Sequence, residues 1–151
     1  MIDVSRKPDT SRRATAFGKL RLTESTIRRL QSGRVEKGDP FCVAEIAGIM
    51  AAKNTSQIIP LCHPLPITSV QFTPKIENNG VAVHGEVKTV AKTGVEMEAL
   101  TAVAAYLLTI WDMTKMYEKD ATGQYPRAMI ENIRVVRKEN ETARRRVNKG
   151  A

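Results

Sequence analysis

Apolar side chains recur along this chain with two spacings, near two and near 3.6, and each spacing marks a kind of element. Ala14, Ala16, Leu20 and Leu22 fall roughly every second residue across 13–22, which predicts a strand after an extended lead-in over 1–12. Thr23 is placed to cap a short helix over 24–32 that Gly33 would close. Asp39-Pro40 places a capping carboxylate before a proline suited to the first helical turn. Phe41, Val43, Ala44, Ile46, Ala47, Ile49 and Met50 then cover a wide arc, so 41–53 reads as a buried helix. Pro60 and Pro64 frame an irregular stretch that no regular element crosses easily. Segments 66–76 and 81–91 read as a hairpin turned by Asn78-Asn79-Gly80. In the second of these strands Val81, Val83, Gly85 and Val87 share one face, and Ala82, His84, Glu86 and Lys88 share the other, expected to be wet. Residues 95–117 form the longest helix. Thr93 and Glu96 fit a capping box, and Leu100, Val103, Leu107, Ile110, Trp111 and Thr114 mark its buried side. A last strand is expected over 130–138.

The order strand, helix, helix, strand, strand, helix, strand predicts an α+β fold of ferredoxin-like type, an antiparallel sheet with helices packed on one face. That fold hosts many functions and by itself assigns none. One domain is expected over 1–138, followed by a basic, flexible tail over 139–151 that lacks apolar periodicity.

Composition narrows the class. Only 5% of residues are aromatic, so the core must be aliphatic. The net charge of +8 raises a nucleic-acid reading, but its distribution weakens it. Residues 1–34 carry +6, residues 137–151 carry +4, and the middle of the chain carries −2. Stacking aromatics are scarce and no RNA-recognition string is present, so no nucleic-acid partner is expected. No apolar run approaches the roughly 18 residues of a membrane span, and the polar start of the chain lacks a secretory pattern. Cys42 and Cys62 form no disulfide framework and suit a reducing, cytoplasmic setting. Two His and two Cys without a C-x-x-C or H-x-x-x-H pairing argue against zinc.

Four segments carry groups suited to chemistry. His63 sits in the proline-framed Leu61-Cys62-His63-Pro64-Leu65 stretch and is a candidate acid or base; a loop histidine bonded to a carbonyl would have the same sequence. Lys92-Thr93-Gly94-Val95-Glu96-Met97-Glu98 enters a helix N-terminus. Glu96 has a sufficient reason there as a cap, whereas Glu98 has none and is the better functional candidate. Asp112 and Lys115 are three apart on a helix face; apolar neighbours Ile110 and Trp111 argue for partial burial, and a surface ion pair is the alternative. Lys37 stands just before the Asp39 helix start, where a solvated turn lysine is the plainer reading.

Taken together, Lys37-Gly38-Asp39, Ala44-x-Ile46-Ala47-Gly48-Ile49, Ile59-Pro60-Leu61-Cys62-His63-Pro64-Leu65, Lys92-Thr93-Gly94-Val95-Glu96-Met97-Glu98-Ala99-Leu100-Thr101-Ala102 and Asp112-Met113-x-Lys115 resemble the cyclic pyranopterin monophosphate synthases, the MoaC family, from about residue 2 to 136. The resemblance implies a lyase of molybdenum cofactor (molybdopterin) biosynthesis. It would convert 3′,8-cyclo-7,8-dihydroguanosine 5′-triphosphate, a cyclised GTP derivative, to cyclic pyranopterin monophosphate plus diphosphate. It also implies a homohexamer, a trimer of dimers, with sites between protomers. Asp112, Lys115 and Lys37 match catalytic positions, and Leu61, Cys62, His63, Met97, Glu98, Glu96 and Arg12 match substrate-binding ones. The chemistry needs proton transfers and one phosphoryl transfer, so no cofactor and no metal are expected. One departure stands out. The family's Gly-rich, lysine-bearing segment is replaced by Lys138-Glu139-Asn140-Glu141-Thr142, so that either Lys138 or a tail arginine supplies that contact or the contact is absent. A non-catalytic assembly partner of another cofactor enzyme is the competing role.

Glu98 and Asp112 lie fourteen residues apart on one predicted helix, which is roughly 21 Å at about 1.5 Å per residue. One small ligand does not span that distance, so the two are expected to meet only across a contact between chains.

Overall fold

The computed structural model describes residues 1–141. Strand β1 (Thr10–Arg21) is followed by helices α1 (Glu24–Gln31), α2 (Pro40–Lys53) and the single turn α3 (Thr55–Ile58). Strands β2 (Ile67–Glu77) and β3 (Gly80–Ala91), helix α4 (Glu96–Thr114), a 3₁₀ turn (Lys115–Tyr117) and strand β4 (Met129–Glu141) complete it. The sheet order is β2-β3-β1-β4 and every neighbouring pair is antiparallel. This is the ferredoxin-like arrangement expected from the element order, with α2 and α4 on one face.

Alternation along β1 and β3 builds the core. Ala14, Ala16 and Leu20 of β1 and Val81, Val83 and Val87 of β3 point inward beneath Ala99, Val103, Tyr106, Leu107 and Ile110 of α4. The opposite face carries charge: Arg13 pairs with Glu86 and Glu139, Lys88 with Glu86, and Arg21 with Glu131. His84 lies exposed on this face against Phe17, as the period-two reading expects, whereas Ala82, expected on the same wet face, is buried. The hairpin turns at Asn78-Asn79, and Gly80 takes a φ of 154°. A Cβ there would meet the Leu20 carbonyl oxygen at 1.9 Å, so only glycine fits. Pro74 is tolerated because β2 is an edge strand.

Helix ends follow the sequence signals in two of four cases; Thr23 stands at the N-cap of α1, but its side chain makes no cap hydrogen bond and its hydroxyl donates to Glu118 instead. Gly33 at φ 65° closes α1, with its N–H on Leu30 O and the Arg34 N–H on Arg29 O, a Schellman motif. The Asp39 carboxylate accepts from the Phe41 and Cys42 N–H groups. The capping box expected at α4 does not form. Val95 is the N-cap residue and no side chain caps it, because Glu96 turns instead to Lys138 of β4.

Two further expectations are corrected. Helix α2 is not buried all round. It packs on α4 and on the edge strand β2, so it has one inner stripe of small residues, Ala44, Gly48 and Ala52, along with Pro40. Val43, Ile46 and Met50 face outward, with Ile46 61% exposed. The final strand does not stop at 138 but runs through Glu141, since Glu139 pairs opposite Arg13 and Glu141 opposite Ser11. The tail expected over 139–151 therefore loses its first three residues to β4, and the rest of it, 142–151, lies outside the described residues.

Phe72 explains the bare stripe on α2. Its ring stacks on Tyr106 at 4.7 Å between centroids. A Cβ on Gly48 would sit 2.3 Å from the ring, and one on Gly85 would sit 3.1 Å from it. Two glycines on two elements thus form the slot that brings α2 down onto the sheet. Gly48→Ala should cost about 1–3 kcal/mol by overpacking, measured by denaturant unfolding. Gly48→Ala combined with Phe72→Leu should recover part of the loss.

Candidate active site

The residues singled out in the sequence gather at two places, one near each end of α4. At its start, a cleft of about 420 Å³ is lined by Ile2, Val4 and Lys7, by Leu61, Cys62, His63 and Leu65, and by Thr93, Gly94, Glu96, Met97 and Glu98. The irregular stretch framed by Pro60 and Pro64 forms one wall, and the β3–α4 connection forms another. Arg12 ends the inward row of β1. From there its Nε donates to Ala91 O and its Nη2 to Lys92 O, which holds that connection in place. Lys92 Nζ in turn donates to Ser5 O at 2.7 Å and ties down the first residues of the chain, which wall the cleft rather than trail from it.

Charge in this cleft is set by burial. Glu98 is 3% exposed, and burial first, then the negative charge of Glu96, hold its carboxyl above the ordinary value of 4.5. Burial and the Glu98 charge likewise push the Cys62 thiol up, which keeps it a neutral wall rather than a nucleophile. Glu96 pairs with Lys138. Lys138 stands opposite Ala14, an inward position of β1, and this register sends its side chain to the helix side of the sheet. A Cβ on Gly94 would lie 2.0 Å from Glu96 Oε2, so a larger residue there would displace the Glu96 carboxylate from its present path.

At the other end of α4, Asp112 holds two lysines. Lys37 Nζ donates to Asp112 Oδ2 and to its backbone oxygen, each at 2.9 Å, and Lys115 Nζ meets Oδ1 at 2.7 Å. Asp112 is 55% exposed, which corrects the expectation of partial burial. Ile110 and Met113 turn inward, while Asp112 projects from the far side of the helix. Pairing therefore governs its proton affinity: hydrogen bonds from Lys115 and Lys37 lower its pKa from 3.8 to about 2. The same contact raises Lys115 above its ordinary value. Lys115 is thus a fixed cation at neutral pH.

The structure brings Leu61, Cys62, His63, Glu96, Met97 and Glu98 together, and separately Lys37, Asp112 and Lys115. Sequence reasoning placed Arg12 among substrate-binding residues, whereas most of its guanidinium is engaged by carbonyls. It missed Ile2, Val4 and Lys7 as cleft walls, because an isolated polar lead-in carries no periodicity. Among the described residues, no three His, Cys, Asp or Glu side chains cluster in a way that could hold a metal ion, and no helix is long and apolar enough to cross a membrane.

The opposite pKa shifts predict opposite stability profiles. Glu98 binds its proton more tightly when folded, so its favourable contribution is present below about 4.5 and is lost as pH rises through the folded value. Glu98→Gln should therefore raise the thermal midpoint at pH 7, and the gain should shrink at pH 4. Asp112 contributes above 3.8 and loses that contribution as pH falls through about 2. Asp112→Asn should cost less than about 1 kcal/mol at pH 6, because solvent screens an exposed pair, and almost nothing near pH 2. Thermal unfolding across pH checks both.

Comparison with known proteins fits this geometry. The family model described as the MoaC family matches residues 1–140. The chain is 54% identical over 138 residues to a probable cyclic pyranopterin monophosphate synthase of Archaeoglobus fulgidus, covering 91% of this chain and 88% of that protein. Proteins of the same name from Methanococcoides burtonii (51% over 142 residues, 94% and 89% covered) and Saccharolobus solfataricus (50% over 141 residues, 93% and 95% covered) are equally similar. With both clusters formed by the segments that carry the resemblance, and the family model running over almost all of the described residues, the chain belongs to the MoaC family.

Proposed function

We propose that this chain is a lyase that converts 3′,8-cyclo-7,8-dihydroguanosine 5′-triphosphate into cyclic pyranopterin monophosphate and diphosphate, in the biosynthesis of the molybdenum cofactor. The observation that carries the reading is the Lys37–Asp112–Lys115 trio, two ammonium groups locked on one carboxylate at the surface. The reaction cleaves a C–N bond of the five-membered purine ring, closes a pyrazine-type ring, and forms a cyclic phosphate as diphosphate leaves. A triphosphate needs cations along its length, and the departing diphosphate needs charge neutralised as it forms. Lys115, held protonated by Asp112, suits a fixed cation for the triphosphate and the departing diphosphate. Lys37 shares that carboxylate and is free to pass its charge to the substrate. In the cleft, His63 and Glu98 suit the base or ribose, with Leu61, Cys62 and Met97 as walls. Arg12 keeps Nη1 for the substrate while its other nitrogens brace the connection, and Lys138 supplies a cation at Glu96 where the family's Gly-rich segment is absent.

The working unit is a homo-oligomer, a hexamer built as a trimer of dimers. The 19 residues of α4 measure about 28 Å, so the cleft and the lysine trio of one chain do not serve one small ligand together. The outward apolar side chains Val43, Ile46 and Met50 of α2, with Ile58 and Leu61, offer a surface that a second copy can cover. The free thiols of Cys42 and Cys62 fit a cytoplasmic setting.

Pure protein incubated with the cyclised GTP should release diphosphate and a product of the mass of cyclic pyranopterin monophosphate; unchanged substrate would refute the reading. Lys115→Ala and Asp112→Ala should each lower kcat by at least about 10²-fold. Inactive Glu98→Ala and Asp112→Ala chains, mixed and reassembled, should regain part of the activity, and no recovery in verified mixed assemblies would contradict a shared site.

A further inference from the structure

Lys37 does its work from a loop, and something must hold that loop. It lies between α1 and α2, in the stretch 32–39, where Gly33 and Gly38 both adopt positive φ, 65° and 108°. The side chains of this stretch point to solvent except for Val35, which is buried. Within the loop, the Gly38 N–H reaches Val35 O and the Asp39 carboxylate caps α2. Neither bond fixes the loop relative to Asp112, which is 75 residues away in sequence.

One contact does. The backbone N–H of Glu36, next to Lys37, donates to the Tyr117 hydroxyl at 2.9 Å. Tyr117 stands in the same 3₁₀ turn as Lys115, directly after the helix that carries Asp112. Its ring packs against the core, and the Arg29 guanidinium of α1 covers it at 4.4 Å from the ring centre. The next residue, Glu118, is buried and accepts from both the N–H and the hydroxyl of Thr23, at 3.0 and 2.8 Å, at the start of α1. This short segment after α4 therefore grips α1 at both ends and the Lys37 loop at its middle.

We propose that Tyr117 is a positioning residue for the lysine trio: its hydroxyl sets the Glu36–Lys37 backbone so that the Lys37 ammonium lies on Asp112. The proposal rests on the lyase reading for its purpose, but not for its test. Tyr117→Phe keeps the ring and the Arg29 contact and removes only the acceptor. In the full chain at neutral pH, competitive acylation followed by mass spectrometry reads the exposure and freedom of each lysine. Tyr117→Phe should raise the acylation rate of Lys37 by about three- to tenfold, the weight of one hydrogen bond, and leave that of Lys115 unchanged. In an Asp112→Asn background, where Lys37 has already lost its carboxylate partner, the same substitution should add less than about twofold. With substrate, Tyr117→Phe should lower kcat by a similar factor. An unchanged Lys37 rate in folded Tyr117→Phe protein overturns the proposal, as does an equal rise at Lys115, which would mean general loosening. Absence of turnover in the unsubstituted chain would sink the substrate assignment alone, since acylation needs no substrate.

Discussion

The rigidity of α4 constrains everything chemical in this protein. A helix of 19 residues does not bend to bring its ends together, and Ala99, Ala102, Val103, Tyr106, Leu107 and Ile110 fix it along its length on β1 and β3. The acids of the cleft stand at one end and the lysine trio at the other. Packing that gives the fold its stability thus separates the groups that the lyase reading requires to cooperate, and it leaves association between copies as the way to unite them. The apolar outer side of α2 belongs to the same arrangement: a core formed by one sheet face and two helices has room for only one stripe of that helix.

The two ends also differ in how they control protons. At the cleft, burial dominates and disfavours charge, so Glu98 and Cys62 hold their protons above their ordinary ranges. At the trio, solvent is close and pairing dominates, so Asp112 stays ionised down to about pH 2 and Lys115 stays protonated. A partly apolar cleft with His63 and a buried carboxyl has the character of a site for a heterocycle, and a fixed pair of ammonium groups has that of a site for phosphate oxygens. The difference in proton control follows from where each residue lies relative to the sheet.

Much of this was legible in the sequence because it is written in local signals. Period-two alternation located β1 and β3, Asp39-Pro40 and Gly33 fixed helix ends, and the two long motif strings named the cleft residues. What was not legible depends on contacts distant in sequence. Thr93 and Glu96 have the spacing of a capping box, yet Lys138, 42 residues later, takes the glutamate away. Apolar neighbours at 110 and 111 implied burial for Asp112, but helix rotation turns it outward. The even apolar cover of α2 hid which stripe faces inward, since only the Phe72 slot chooses it. Tyr117 and the first seven residues carry no periodicity, and their places appear only once β1, α1 and α4 are assembled.

The central claim is that each catalytic centre joins the cleft of one chain to the lysine trio of another. It is tested most directly by lysine cross-linking in assemblies reconstituted from equal amounts of ¹⁴N- and ¹⁵N-labelled chains. Links from Lys7 or Lys138 at the cleft to Lys37 or Lys115 at the trio should appear in part as mixed-isotope peptides, with one half from each kind of chain. If those links occur only with both halves bearing the same isotope, while other contacts between chains give mixed pairs, the two ends belong to one chain and the shared-centre account is wrong.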